Sequence, residues 1–433
     1  MTSRERQPLI DDILAGSLVP PETGRPLAPG IRRIVIEASL EGREAALLLD
    51  AGVAGALAVV GDENTLPVLG ERVARAVSGA RLVELRHPRS DEPTVSRLLD
   101  LCHGADALVA VGSGTINDLC KYAAHVSGRP YAVFATAPSM DGYVTRTVSL
   151  ERGGYKVSLP ATPPRGAFFD LEVLARAPRR MIRAGLGDTL CRSTAQLDWR
   201  LSHRLLDTPY AETPYDLLRE DEKALFAIVD RLPEGDPAAI RLLCRLLVLS
   251  GLGTLVTGTS HCGSMGEHAI SHYLDMFLRP HPGTLHGEQV GIATWTMARL
   301  QARMLEMEEL PRLRALVFDV DDFRRRYGRA AHSCLAAARR KPLDEEGVRG
   351  LQKRLDRDWR DIRAELRARM LPIPVMESVI RRAGLPFRAG ELGIDPAFYR
   401  TAVRHALEIR DRYGFLDLAA QAGVLDPFAQ AEE

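Results

Sequence analysis

The amino-acid sequence predicts an α/β N-terminal domain followed by an all-α C-terminal domain, on three observations. Short β-rich runs alternate with amphipathic segments through the first 165 residues, a proline-rich stretch ends that alternation, and nearly every later segment reads as helix. Length agrees with two bodies, because 433 residues exceed one ordinary core and suit two domains of roughly 100–200 residues.

The β-rich runs fall at 33–37, 56–60, 81–85, 107–111 and 131–135, with amphipathic segments such as 41–50, 66–77 and 94–102 between them. Strands alternating with helical patterns make βαβ units and a largely parallel sheet. The stretch 159–166 (LPATPPRG) breaks the pattern. Beyond it, helices are expected at 172–186, 190–201, 220–229 and 238–252, with turns at 232–237 and 279–283. The charged segment 339–369 predicts a pair of solvent-exposed helices. The domains are therefore placed at 1–165 and 166–433, with a cleft between them, since domain boundaries favour ligand sites.

Composition narrows the function. Lys and Arg total 57 and Asp and Glu total 57, so formal net charge is zero. That removes the basic excess which nucleic-acid or anionic-membrane binding needs. The N-terminal 18 residues mix Arg4, Arg6, Asp11 and Asp12, unlike a signal peptide. The apolar stretch 51–61 is far short of the ~20 residues of a membrane helix. Six scattered cysteines with no C-x-x-C pair predict reduced thiols in a cytoplasmic protein and argue against a thiolate zinc site.

Two constellations carry chemistry. The first is ALVAVGSGTINDL at 107–119, a strand, a Gly112-Ser113-Gly114 turn and a helix start. Glycines there let the backbone approach an anion, and helix N–H groups and dipole favour a pyrophosphate; Thr115 or Asn117 could cap the helix or donate to phosphate. The third glycine of the usual dinucleotide fingerprint is missing, and the turn follows the fourth strand. TAPSMDG at 136–142 follows the next strand, so Thr136 and Ser139 should lie beside that turn. Asp62 ends an earlier strand, where a carboxylate can bond an adenosine ribose and repel a 2′-phosphate. Plain turn chemistry is the competing reading for both segments.

The second is a histidine cluster. His261, His268, His272, His281 and His286 fall within 26 residues of a chain with 11 histidines. GEHAISH reads as helix, and i, i+4 spacing puts His268 and His272 on one face. His286 follows a Pro/Gly turn and precedes a helix at 290–303. Asp188 lies in Gly185-Leu-Gly-Asp188, where glycines allow close approach. Asp188, His268 and His286 would leave one position of a divalent ion open, as catalytic sites do.

The motifs VGSGTINDLCKY, TAPSMDG, AGLGD, GEHAISH and LHGE, with IDDILAG, PETG and VGDENT, resemble the iron-containing alcohol dehydrogenase and dehydroquinate synthase-like superfamily. Within it they are most similar to AraM-type sn-glycerol-1-phosphate dehydrogenases. The resemblance implies a dehydroquinate synthase-like fold and reversible reduction of dihydroxyacetone phosphate to sn-glycerol 1-phosphate by NAD(P)H. It implies Asp188, His268 and His286 as metal ligands, and Gly112, Ser113, Gly114, Thr115 and Asp118 as the pyrophosphate region. Thr136 and Ser139 match nicotinamide-side contacts, Asp62 the ribose reader, Asp141 a substrate contact and His272 a residue near the metal. NAD(H) is favoured over NADP(H), zinc over nickel or iron, and a homo-oligomer over a monomer. The alternatives are a polyol dehydrogenase for an unphosphorylated or different phosphorylated substrate, or a sugar-phosphate cyclase.

One departure bears on substrate. The subgroup's Ser-Arg-Pro-Ala-Ser-Gly is replaced by Ser260-His261-Cys262-Gly263-Ser264-Met265. A substrate phosphate then needs another cation, either a protonated His261 or Lys156.

Overall fold

Six parallel strands organise the N-terminal half in the computed structural model, which describes residues 8–153 and 155–432. They are β1 (Arg33–Glu37), β2 (Leu57–Asp62), β3 (Arg81–Leu85), β4 (Ala107–Gly112), β5 (Tyr131–Ala135) and β8 (Gly166–Asp170), in the order β1-β8-β5-β4-β2-β3. β6 (Thr147–Arg152) and β7 (Tyr155–Pro160) form a separate two-stranded sheet. Every residue of β4, β5 and β8 is buried, as expected for parallel strands covered on both faces.

The chain divides into two compact units, one holding residues up to 152, 156–189 and 211–259, the other 153–155, 190–210 and 260–433. The expected boundary at 165 is thus corrected. It falls immediately before β8, which pairs with both β1 and β5 through Gly166. Proline-rich 159–166 is a connection within the sheet unit. Each unit has its own core: Val59, Val109, Phe134 and Phe168 are central to the first, and Leu274, Met297, Leu351 and Ile362 to the second.

Three further expectations change. The helices expected at 172–186 and 190–201 resolve into a short helix Leu171–Ala175 and one 28-residue helix, Arg179–Leu206; Gly185 and Gly187 do not interrupt it. The segment 339–369 is not a pair of solvated helices. Arg339 ends one helix, and Glu345–Arg369 is a single helix burying Val348, Leu351, Leu355, Trp359, Ile362 and Leu366. Spacings of three and four gather those six on one face. Finally, 51–61 is not the longest apolar stretch: among the described residues Pro237–Thr257 is long and apolar enough to cross a membrane, with 78% of its apolar window buried. Its Arg245 is buried against Asp221 at 2.9 Å, the pairing a core helix needs to hold a charge.

Candidate functional site

In the sheet unit, β3 lies on one side of β2 and β4 on the other, so the chain reverses direction across the sheet between β2 and β4. A crevice at such a reversal, outside the carboxyl ends of the strands, is where open α/β sheets bind ligands. The β2·β4 register runs to Val60 opposite Ala110, two residues before Asp62 and Gly112, and Gly112 pairs with Ala135 of β5. The Thr136 N–H donates to the Gly112 carbonyl at 3.2 Å. Thr136 thus lies beside the glycine turn, as its position after the next strand led one to expect, and Asp62 ends the strand that pairs with β4.

The helix Gly114–Ser127 starts at the turn, and no side chain caps Ser113 at its N-terminus. Its first amides are thus left to an anion. A Cβ on Gly112 would come within 2.6 Å of the Ile116 side chain, so glycine is what lets the turn fold back on its helix. Thr115 is exposed there. These features fit the pyrophosphate of a dinucleotide. Asn117 is no cap: it is buried and donates to the Gly142 carbonyl. The Asp118 carboxylate accepts from the Ser149 N–H at 3.1 Å, so it faces β6. Burial raises its pKa although Lys121 and Lys156 pull it down. Asp62 uses one oxygen to accept from the Asn64 and Thr65 amides at 2.9 and 2.8 Å. It is a turn former whatever else it binds.

Four residues after β5, Ser139 is buried. Next to it, the Asp141 N–H donates to Asp188 at 2.9 Å, and the Ser250 hydroxyl donates to Asp141. A Cβ on Gly185 would sit 1.8 Å from the Pro138 carbonyl oxygen; this glycine allows the helix carrying Asp188 to meet the 136–142 segment. Lys121, not singled out in the sequence for function, is completely buried beneath this segment. It donates to the Gly142 carbonyl, to Thr145 Oγ1 at 3.1 Å and to the Thr147 carbonyl at 3.2 Å. Burial lowers its pKa to about 8, against the pull of Asp118 and Asp141.

In the helical unit, His268 and His272 lie on the helix Gly266–Phe277, their ring centroids 6.2 Å apart. His286 is the first residue of the helix His286–Glu306, which starts earlier than the expected 290–303. Its ring lies 5.1 Å from His268 and 6.5 Å from His272. Three imidazoles therefore converge. His281 is bonded to Gln289 at 3.2 Å and lies 3.4 Å from Asp275.

Carboxylate and hydroxyl groups orient the pair. Glu267 is completely buried and accepts from His268 Nδ1 at 3.0 Å and from the Met265 N–H at 2.7 Å. An ionised acceptor puts the His268 proton on Nδ1 and leaves Nε2 as the ligand atom, the usual arrangement behind metal-bound histidines. Burial favours a neutral Glu267, yet those bonds hold its pKa below the ordinary carboxyl value. Ser271 donates to Gln289 at 2.8 Å, so its oxygen can accept from His286 Nδ1 at 3.5 Å. The sequence reading missed Glu267, Ser271 and Gln289; the signal for Glu267 was a carboxylate adjoining a candidate ligand. Cys191 also lies beside Glu267 and His268 within 4.8 Å. Its thiol donates to the Gly263 carbonyl at 3.3 Å, which suits a protonated side chain rather than a thiolate ligand.

The departure at 260–265 is surrounded by arginines from the same unit. Arg192 donates to the Cys262 carbonyl at 2.9 Å, Arg410 to Ser264 Oγ at 2.8 Å, and Arg412 to Ser260 Oγ at 2.8 Å and to the Ser264 carbonyl. Burial first, then Arg412 and Arg410, push the His261 imidazole down to about 3. The expectation of a protonated His261 holding a phosphate is therefore withdrawn. Lys156 is placed on β7.

An iron-containing alcohol dehydrogenase family model matches residues 35–178. Solved structures with this fold include glycerol dehydrogenase from Schizosaccharomyces pombe (TM-score 0.60, 16% identity, covering 92% of this chain and 90% of that one). An iron-containing alcohol dehydrogenase from Corynebacterium glutamicum matches at TM-score 0.61 and 14% identity, covering 93% and 94%. Sequence relatives are more specific. Glycerol-1-phosphate dehydrogenase (NAD(P)+) of Bacillus licheniformis is 32% identical over 384 residues, 85% of this chain and 83% of its own length. The enzyme of the same name from Thermococcus kodakarensis is 31% identical over 64% and 79% of the two chains. That of Halalkalibacterium halodurans is 35% identical over 56% of this chain and 64% of its own length. The chain belongs to the glycerol-1-phosphate dehydrogenase family of the iron-containing alcohol dehydrogenase superfamily.

Proposed function

We propose that this chain reversibly reduces dihydroxyacetone phosphate to sn-glycerol 1-phosphate with NAD(P)H, at a divalent metal held by Asp188, His268 and His286. The observation that carries this reading is the orientation of the two histidines: Glu267 and Ser271 fix the Nδ1 protons, so two Nε2 lone pairs are presented by neighbouring rings. Asp188 is the third ligand of this reading by its place in the AGLGD motif. One carboxylate and two imidazoles suit zinc first, nickel or iron next. When bound, the metal would supply a Lewis acid for the substrate carbonyl.

The remaining residues bind and orient. The amides following Gly112, Ser113 and Gly114, with Thr115, receive the pyrophosphate, and Asp118 braces their helix against β6. Thr136 and Ser139 face the nicotinamide, and the second Asp62 oxygen reads the ribose, favouring NADH. Asp141 contacts substrate while its amide holds Asp188, and His272 lines the metal's surroundings. The protein is read as cytoplasmic and homo-oligomeric. The loss of the subgroup arginine at 261 favours a second reading, a polyol dehydrogenase acting on unphosphorylated substrates.

The test is nicotinamide absorbance with metal-defined protein, a panel of ketones and ketone phosphates, and both cofactors. The expected outcome is NADH oxidation with dihydroxyacetone phosphate, relaxed toward NADPH in Asp62→Gly, where repulsion of the 2′-phosphate is gone. A cyclase would give no net absorbance change, and turnover of unphosphorylated ketones alone would select the polyol reading.

A further inference from the structure

We infer that Lys121, buried beneath the turn that follows Asp141, is a positioning residue for the proposed reaction: it fixes that turn so that the Asp141 amide holds the Asp188 carboxylate in place as a metal ligand. The inference rests on the reading of Asp188 given above, and it assigns a task to the lysine of VGSGTINDLCKY.

Geometry carries it. Lys121 lies about two turns into the helix Gly114–Ser127 and is completely buried. Its ammonium has three N–H donors and meets three oxygens of one turn: the Gly142 carbonyl, Thr145 Oγ1 at 3.1 Å and the Thr147 carbonyl at 3.2 Å. Asp118, on the same helix, stands 3.9 Å away. A second element also holds the turn. The helix Pro237–Thr257 meets it at Gly251, where a Cβ would fall 2.8 Å from the Asp141 carbonyl oxygen, and the Ser250 hydroxyl donates to the Asp141 carboxylate. With both holds in place, the Asp141 N–H donates to Asp188 at 2.9 Å. All of these residues belong to the sheet unit.

The simpler alternative is a lysine that only braces the fold, and energetics argue against it. The acceptors have other donors: Asn117 bonds the Gly142 carbonyl at 3.3 Å, and the Thr145 hydroxyl lies 2.9 Å from the Thr147 carbonyl. Burial lowers the lysine pKa to about 8, although Asp118 and Asp141 draw it back up. A folded value below the unfolded one means that stability is lost as pH falls through 8, so at neutral pH burying this charge weakens the fold. An apolar side chain of similar volume would serve stability at least as well. What the ammonium adds is direction, since three bonds from one point restrict the turn, and with it the Asp141 amide, to one setting.

The experiment compares wild type, Lys121→Met, Thr145→Val and the control Lys353→Met at an exposed position. Four readouts are taken: zinc affinity by competition with a chromophoric chelator, NADH affinity, the thermal midpoint of the metal-free protein, and kcat with dihydroxyacetone phosphate. Positioning predicts that Lys121→Met binds zinc roughly tenfold or more weakly and loses kcat in similar proportion, while its midpoint and NADH affinity stay close to wild type. Thr145→Val, which deletes one of the three acceptors, should weaken zinc binding by a smaller factor, and it decides the matter if Lys121→Met does not fold. The control should change nothing. A lowered midpoint with zinc affinity and kcat of the folded protein unchanged would mark a structural brace and overturn the inference, as would wild-type values throughout. If wild type binds zinc but does not turn over the ketone phosphate, the proposed reaction fails by itself, and zinc affinity and midpoint still decide on Lys121. If Asp188→Ala leaves zinc affinity intact, the ligand reading fails and the inference falls with it.

Discussion

At the scale of single residues, the histidine cluster and the glycine turn were legible because their chemistry leaves a mark in sequence: clustered histidines, and glycines between a strand and a helix. Their supports were not. Glu267 reads as an ordinary helical glutamate until its complete burial and its bond to His268 are seen. His261 is the instructive failure. An isolated imidazole titrates near 6.5, but burial and two arginines brought in from positions 410 and 412 depress it to about 3. No sequence pattern announces a partner 150 residues away. The sign of the consequence is definite. A histidine whose folded pKa lies below its unfolded value binds fewer protons when folded, so stability is present above about 6.5 and is lost as pH falls toward 3. At pH 5 the loss is about 2 kcal/mol. Urea unfolding at pH 7 and pH 5 should show wild type losing that much more than His261→Gln. Equal losses would mean that burial and the arginines do not hold the imidazole neutral.

At the scale of elements, the first five strands were legible from their periodicity, whereas β8 was not. Its residues, GAFFD, follow a proline-rich stretch that normally signals a boundary, yet Phe168 and Phe169 are completely buried in the sheet. The Glu345–Arg369 helix was misread for a related reason: its charges are numerous and contiguous, while its apolar residues are spread at helical spacing. Within the sheet unit, the approach of the Arg179–Leu206 helix to the 136–142 segment depends on a missing side chain. Gly185→Ala would place a methyl group 1.8 Å from the Pro138 oxygen, and a backbone atom cannot step aside as a side chain can. The expected cost is at the upper end of the about 1–3 kcal/mol typical of overpacking, accompanied by weaker cofactor binding as Ser139 is displaced. Denaturant unfolding and cofactor titration check both; an alanine variant with unchanged midpoint and affinity would show that the contact is not tight.

At the scale of the whole molecule, the chain combines a sheet unit that carries the glycine turn and Asp188 with a helical unit that carries the converging histidines, and each has its own core. The division of labour was legible because the two kinds of chemistry lie in different stretches of sequence. The boundary was not, because strand β8 and the helix Pro237–Thr257 return to the first unit after the helical pattern has begun. This division leads to a separable prediction: disabling the metal ligands should leave the dinucleotide turn working. The direct measurement is therefore metal content, NADH affinity and turnover with dihydroxyacetone phosphate in Asp188→Ala, His268→Ala and His286→Ala beside wild type. The account predicts that each variant loses the metal and its turnover while binding NADH about as wild type does. A variant that keeps a full complement of metal and near-normal kcat would contradict it.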